Sequence, residues 1–383
     1  MDYPQLFSAI DSLQAEYIRF WEDICTIESP TTYKPGVDAV AEFCVRQAEK
    51  YGWQVEVRPE EVSGNAVCIT MNPDAAGQPV ALSGHMDTVH PVGCFGSPAV
   101  RLDETHIYGP GVADCKGGIV ASFLVMAALQ QCGYTDRPVK LILQSDEENS
   151  SCTSNKDTVA FMEEKSRDCA VFLNTEAHRG AATLWRKGLS KYRLDITGVA
   201  AHASACARFG SSAIREAAMK IIQIEEQKDH DGITMNCGTI QGGSAINTVP
   251  EECNFTVDVR YATMDQMKEA HEFLTRVAAT NFVDGCTTEL VLLSSRPSMD
   301  KADRNFAILE KMNAIYAEAG MPILEAVGAP GGSDTADLTA RGITCVDSLG
   351  VEGDYIHSIR EMAELASLAR SAKRLGAVII GLK

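Results

Sequence analysis

Five side chains of ligand type are spread along the chain: His85, Asp114, Glu148, Glu176 and His357. Imidazole and carboxylate together are the donor set that suits zinc and related divalent cations. One catalytic zinc takes about three protein ligands plus water, so five donors exceed the need of a single ion. A bridging carboxylate resolves the count by serving two ions at once. Asp114 is the natural bridge, because Gly109, Gly111, Gly117 and Gly118 flank it and let the backbone bend close to both ions. Such a pair, about 3.5–4 Å apart, would activate water and polarise a carbonyl. Asp87, two residues past His85, is placed to accept the imidazole's other N–H and fix its tautomer. Glu147, beside Glu148, is placed to take the water's proton and return it to a leaving nitrogen. Each signal is weak alone, since His-x-Asp is common by chance and consecutive acids usually sit on a solvated face. Their weight comes from recurring in order, framed by glycines or apolar runs.

Periodicity outlines the elements that must position these groups. Apolar residues at helical spacing predict helices over residues 7–27, ended by Ser29-Pro30, and 37–51. Strand-type runs follow at 54–58, 66–71 and 80–83, the last leading into Gly84-His85-Met86-Asp87. A small-and-apolar helix is expected over 117–130, a buried strand over 139–144 leading to Asp146-Glu147-Glu148, and a strand over 169–173 leading to Glu176. Three strands thus hand polar groups to their C-terminal ends with helices among them, the α/β arrangement in which open sheets place ligands. Near Gly188 the pattern changes. Strands at 191–197, 234–240, 253–261 and 288–293, with helices at 211–226 and 265–279, give the order β-α-β-β-α-β of a ferredoxin-like split unit. Helices near 305–319 and 361–380 complete the chain. The expected organisation is one α/β domain, residues 1–188 and 295–383, interrupted by an α+β domain, residues 189–294, with hinges near Lys187-Gly188 and Ser295-Arg296.

The 383 residues suffice for two or three domains, and 45% apolar with 22% charged residues is ordinary globular composition. Acidic residues outnumber basic ones by 52 to 34, a formal net charge of -18. A surface that negative repels phosphate backbones and anionic lipid, which argues against nucleic-acid and membrane partners and leaves small molecules and cations. No apolar run approaches the ~18 residues of a membrane span. The opening Met1-Asp2-Tyr3-Pro4 lacks a basic-then-apolar leader. Thirteen cysteines are scattered singly without a CxxC pair, which fits neither a disulfide framework nor a cysteine zinc cluster. Reduced, mostly buried thiols in a cytoplasmic enzyme are expected.

Taken together, the motifs resemble those of the dinuclear zinc exopeptidase and amidohydrolase family that includes glutamate carboxypeptidase, aminoacylase, acetylornithine deacetylase and succinyl-diaminopimelate desuccinylase. Ser83-Gly84-His85-Met86-Asp87-Thr88-Val89 is similar to its first metal motif, and the run from Tyr108 to Gly118 to its second, with Asp114 as the bridge. Asp146-Glu147-Glu148, Asn174-Thr175-Glu176 and His357-Ser358 followed by Glu361 resemble the remaining ones. The resemblance implies a mixed-sheet α/β catalytic domain with an inserted α+β ferredoxin-like lid and dimerisation domain. It further implies two divalent ions, zinc foremost with cobalt or manganese as alternatives, and a homodimer. His202, within Gly198-Val199-Ala200-Ala201-His202-Ala203-Ser204, resembles the lid histidine that stabilises an oxyanion across the dimer. Asn247 and Arg260, near Gly242-Gly243, and the loop Gly331-Gly332-Ser333-Asp334 resemble elements that hold a substrate carboxylate.

The activity so implied is hydrolysis of an amide or peptide bond beside a free carboxylate, by a carboxypeptidase or an N-acyl-amino-acid deacylase. Glu176 rather than aspartate, and Gly-Pro-Gly before Asp114, favour the glutamate carboxypeptidase-like branch. A dipeptidase or aminopeptidase, or a catalytically silent metal-binding protein, are the competing readings. Asn149-Ser150-Ser151-Cys152 and Ala177-His178-Arg179 depart from the family pattern beside the metal residues and point to an altered substrate pocket. Cys115 is read as a buried thiol because the imidazole and carboxylate set is already complete, and His230 as a solvated side chain.

Overall fold

The structure is a computed structural model that describes residues 1–229 and 231–382, so the expectation for His230 lies outside the described residues. The chain divides into two compact units, one of Met1–Leu184, Lys301–Gly328 and Ser333–Lys383, the other of Trp185–Asp300 and Ala329–Gly332.

The first unit is α/β, built on a mixed six-stranded sheet. Its order is Gln54–Arg58, Ala66–Met71, Val139–Gln144, Val80–His85, Val171–Asn174, Cys345–Val346. The first two strands run antiparallel to their neighbours, and the other four are mutually parallel. Every residue of Val80–His85 is buried, as a central strand covered on both faces requires. Register then places the chemistry. His85 lies opposite Gln144, and Ser83 opposite Asn174, so three strands end nearly level. The residues that follow each end are Asp87, Glu147 with Glu148, and Glu176.

Helix Lys116–Gln131 is apolar almost all round and buried from Lys116 to Leu129, as an interior helix should be. Its first turn approaches the sheet at Gly118, where a Cβ would stand 2.0 Å from the Thr175 carbonyl oxygen. Only glycine allows the start of this helix to lie against the strand end that carries Glu176. Helices Tyr3–Thr26 and Leu365–Gly381 pack against it. The last helix begins later than periodicity suggests, because Met362–Glu364 is a strand paired with His106–Tyr108. Ladder bonds to another part of the chain override local helical preference there. Helix Asp157–Ser166 and strand Ala181–Arg186 have no counterpart in the sequence reading.

The second unit runs strand Gly188–Thr197, helix Ala213–Glu225, strands Thr234–Gly242 and Glu252–Tyr261, helix Met264–Ala279 and strand Thr287–Arg296. The four strands are antiparallel, with Glu252–Tyr261 and Gly188–Thr197 in the centre. Alternation sorts the faces. Leu194, Ile196, Phe255, Val257 and Val259 are buried in one core, while Arg193, Asp195, Asp258 and Arg260 are half-exposed on the opposite face.

Candidate metal centre

The first unit brings all five ligand-type residues together. His85 Nε2 lies 3.0 Å from Asp114 Oδ1 and 3.5 Å from Glu176 Oε1. His357 Nε2 lies 3.1 Å from Asp114 Oδ2 and 3.2 Å from Glu148 Oε2. Asp114 therefore stands between two imidazoles, one at each oxygen, with Glu176 on the His85 side and Glu148 on the His357 side. That division is what a carboxylate shared by two cations requires. Ligand atoms of His85, Asp114 and Glu148 also lie within 4.8 Å of one another, so the two sides of the cluster adjoin at Asp114.

Asp87 organises the cluster from below. It is fully buried. Its main-chain carbonyl lies 3.0 Å from His85 Nδ1 and its carboxylate 3.3 Å from the same nitrogen. The carboxylate also accepts the backbone N–H groups of Glu147 and Glu148, each at 3.1 Å, and the Thr31 hydroxyl at 2.6 Å. One side chain thus supports the imidazole and the turn Glu147–Asn149 that presents Glu147 and Glu148. The chain reaches Asp114 through Gly111, whose φ of +72° suits glycine.

Burial and neighbouring charge pull the groups of the cluster in different directions. Burial pushes Glu148 up to about 8 and Glu176 well above the usual carboxylate range, with the Asp114 charge adding to both. Burial acts the same way on Asp114, but hydrogen bonds with His357 and His85 outweigh it and hold that carboxyl well below its usual range. Hydrogen bonds with Asp114 and then Glu148 push His357 up to about 11. Burial lowers His85, yet the acidic groups around it, Cys115 and Glu176 foremost, raise it well above its usual value. Carboxylates this close cannot all ionise without positive charge between them. Two imidazoles and three carboxylates, split around a shared aspartate, fit a pair of divalent cations in that place.

Cys115 is nearer to this chemistry than the sequence suggests. Its sulfur accepts the His85 backbone N–H at 3.3 Å, and its sulfur, His85 and Glu176 also form a group within 4.8 Å. Proximity in sequence to Asp114 was the available signal.

The residues singled out for substrate contact fall differently. His202 is exposed, with Nδ1 2.8 Å from the Ser204 hydroxyl, in a two-residue strand paired with Thr248–Val249. Asn247 is its exposed neighbour, and its carbonyl accepts the Ala203 N–H at 2.9 Å. Arg260 is held by Asp258 two residues away, Nε to Oδ1 at 2.6 Å and Nη2 to Oδ2 at 3.1 Å. Gly331 and Gly332 belong to the second unit and Ser333 to the first. Ser333 is fully buried, and its hydroxyl accepts from the Asn174 amide at 2.9 Å while capping helix Asp334–Ala340. That hydroxyl shapes the loop from inside.

A model of peptidase family M20/M25/M40 matches residues 81–380. The chain belongs to this family. Carboxypeptidase G2 of Pseudomonas sp. (strain RS-16) is 25% identical over 375 residues, covering 97% of this chain and 89% of that protein. Among solved structures, a tripeptidase of Staphylococcus aureus superposes with a TM-score of 0.77 at 22% identity, covering 96% of this chain and 97% of that one. A dinuclear metal-binding M20 peptidase of Bacillus subtilis gives 0.70 at 16% identity, over 97% and 99%. As an M20 member the protein is a metal-dependent hydrolase, which sets aside the silent binding protein. No helix among the described residues is long and apolar enough to cross a membrane.

Proposed function

We propose that this M20 enzyme hydrolyses an amide or peptide bond beside a free carboxylate, as a carboxypeptidase or N-acyl-amino-acid deacylase. The observation that supports it most is the placement of Asp114 between His85 and His357, with one further carboxylate on each side. We assign His85, Asp114 and Glu176 to one cation, and His357, Asp114 and Glu148 to the other. Zinc suits these donors best, and cobalt or manganese suit them also. A bound pair of such ions supplies Lewis acidity and lowers the pKa of water.

The protein's own groups do the rest. Asp87 orients His85 and the Glu147-Glu148 turn. Glu147 is the general base for the attacking water and the general acid for the leaving nitrogen. His202 donates to the developing oxyanion. Arg260 and Asn247 take the substrate carboxylate. Asp258 fixes the guanidinium by Nε and Nη2, leaving the Nη1 edge to meet an anion. Backbone N–H groups of Gly331, Gly332 and Ser333 are assigned to the same end of the substrate.

Residues 189–294 are assigned as lid and dimerisation domain of a homodimer. Exposed Ile214, Met219 and Ile222 on helix Ala213–Glu225, and Ile240 on the edge strand Thr234–Gly242, support an apolar interface there. The free state of all thirteen cysteines supports a cytoplasmic setting.

Chelation is expected to abolish turnover of N-acyl amino acids, and zinc or cobalt to restore it. Hydrolysis that resists a chelator would refute the mechanism. Efficient cleavage of a peptide with a free amino end and a blocked carboxyl end would instead point to an aminopeptidase.

A further inference from the structure

Two buried groups with no task in the reaction sit behind the aspartate assigned as the bridge. Glu361 is 1% exposed and His90 is 6% exposed. Glu361 Oε1 accepts the backbone N–H of Ala113 at 2.9 Å and of Asp114 at 3.1 Å. Its Oε2 accepts the Gly111 N–H at 3.3 Å and lies 2.8 Å from His90 Nε2. The His90 ring meets Phe95 edge-on, with centroids 4.8 Å apart. A carboxylate is costly to bury unless its acceptor sites are filled, and here they are filled by one loop and one imidazole.

The same residue grips a second segment. Its backbone N–H donates to the Ser358 carbonyl at 2.9 Å, closing the turn that follows His357, and its carbonyl accepts the Gly109 N–H at 3.3 Å. Glu361 therefore joins the loop that presents Asp114 to the turn that presents His357. Its oxygens are spent on backbone donors and His90, so it is not itself a ligand.

We propose that Glu361, held by His90, is a positioning residue that sets the Asp114 loop against the His357 turn so that the two Asp114 oxygens face different cations. The inference rests on the two-cation reading above. A role confined to folding would cost stability and leave metal binding untouched. The proposed role changes metal binding in a protein that remains folded.

The test is cobalt binding to the purified full-length apoenzyme, followed by competition with a chelator and by visible absorption, on wild type, Glu361→Gln, His90→Gln and His90→Phe. Wild type is expected to bind two cobalt ions. Glu361→Gln should bind cobalt ~10–100-fold more weakly, the range seen when outer partners of metal ligands are removed, with an altered visible spectrum. Its kcat should fall more than its KM changes. His90→Gln, which keeps an N–H to offer Glu361, should retain more of the affinity than His90→Phe. Folded Glu361→Gln with wild-type affinity and spectrum, and only a lower melting temperature, would overturn the proposal. Should Glu361→Gln fail to fold, His90→Phe decides, and unchanged cobalt affinity in that folded variant would overturn it equally. Fewer than two cobalt ions on wild type would instead defeat the two-cation reading itself and this inference with it.

Discussion

In the first unit, His85, Asp87 and Asp114 are buried and each is held by more than one polar neighbour. In the second, His202 and Asn247 are exposed, and Arg260 is half-exposed against Asp258. The contrast separates two tasks. Among the groups assigned to the cations, His85, Asp114, Glu148 and Glu176 sit largely out of water, where reorganisation during the reaction is small, while His357 closes the cluster from the exposed side. Asn247 and Arg260, the side chains proposed to take a substrate carboxylate, remain at a surface. Substitutions in the first set should strike the chemical step, and those in the second should divide between oxyanion stabilisation and affinity.

The largest effect is expected at Glu147. Glu147→Gln should lower kcat by ~10²–10⁴-fold while both metals stay bound, because only proton transfer is removed. Near-normal turnover by a metal-replete Glu147→Gln would assign the base elsewhere. His202→Ala comes next, with a fall of ~10²–10³-fold in kcat and little change in KM, the usual loss of one oxyanion donor. A rise in KM alone would move His202 from the oxyanion to ground-state binding and blur the contrast between the units.

Arg260→Lys should raise KM for carboxylate-bearing substrates by roughly 10–100-fold, as loss of charge-assisted hydrogen bonds worth about 1.5–3 kcal/mol implies. Equal loss on a carboxyl-blocked substrate would show that Arg260 serves the fold. The smallest effect concerns a residue of neither set. Burial, and then a hydrogen bond with Asp157, push Glu60 up to about 7. A carboxyl raised in the folded state contributes stability below its unfolded pKa that is lost as pH rises toward 7. Glu60→Gln should flatten this decline in urea unfolding between about pH 4.5 and 7. An unchanged slope would place the titration in another group.

Much of the catalytic framework is legible in the sequence because the central strands are short apolar runs that end abruptly in polar residues. Strands Gln54–Arg58, Ala66–Met71 and Val139–Gln144 follow the periodicity residue for residue. His85, Glu148 and Glu176 follow directly from where the runs stop. What periodicity misses is set by partners distant in the chain. Met362–Glu364 is a strand because His106–Tyr108 offers it a ladder. The Glu361 carboxylate finds its donors some 250 positions earlier, at Gly111, Ala113 and Asp114. No local pattern in either segment announces that contact. At Ser333 the loop motif gives no sign that the hydroxyl turns inward to Asn174.

Anomalous diffraction from cobalt-soaked crystals tests the metal pair most directly. Two peaks are expected about 3.5–4 Å apart, one bonded to His85 and Glu176, the other to His357 and Glu148, with Asp114 touching both. A single peak, or a pair in which Asp114 reaches only one ion, would contradict the shared-aspartate arrangement.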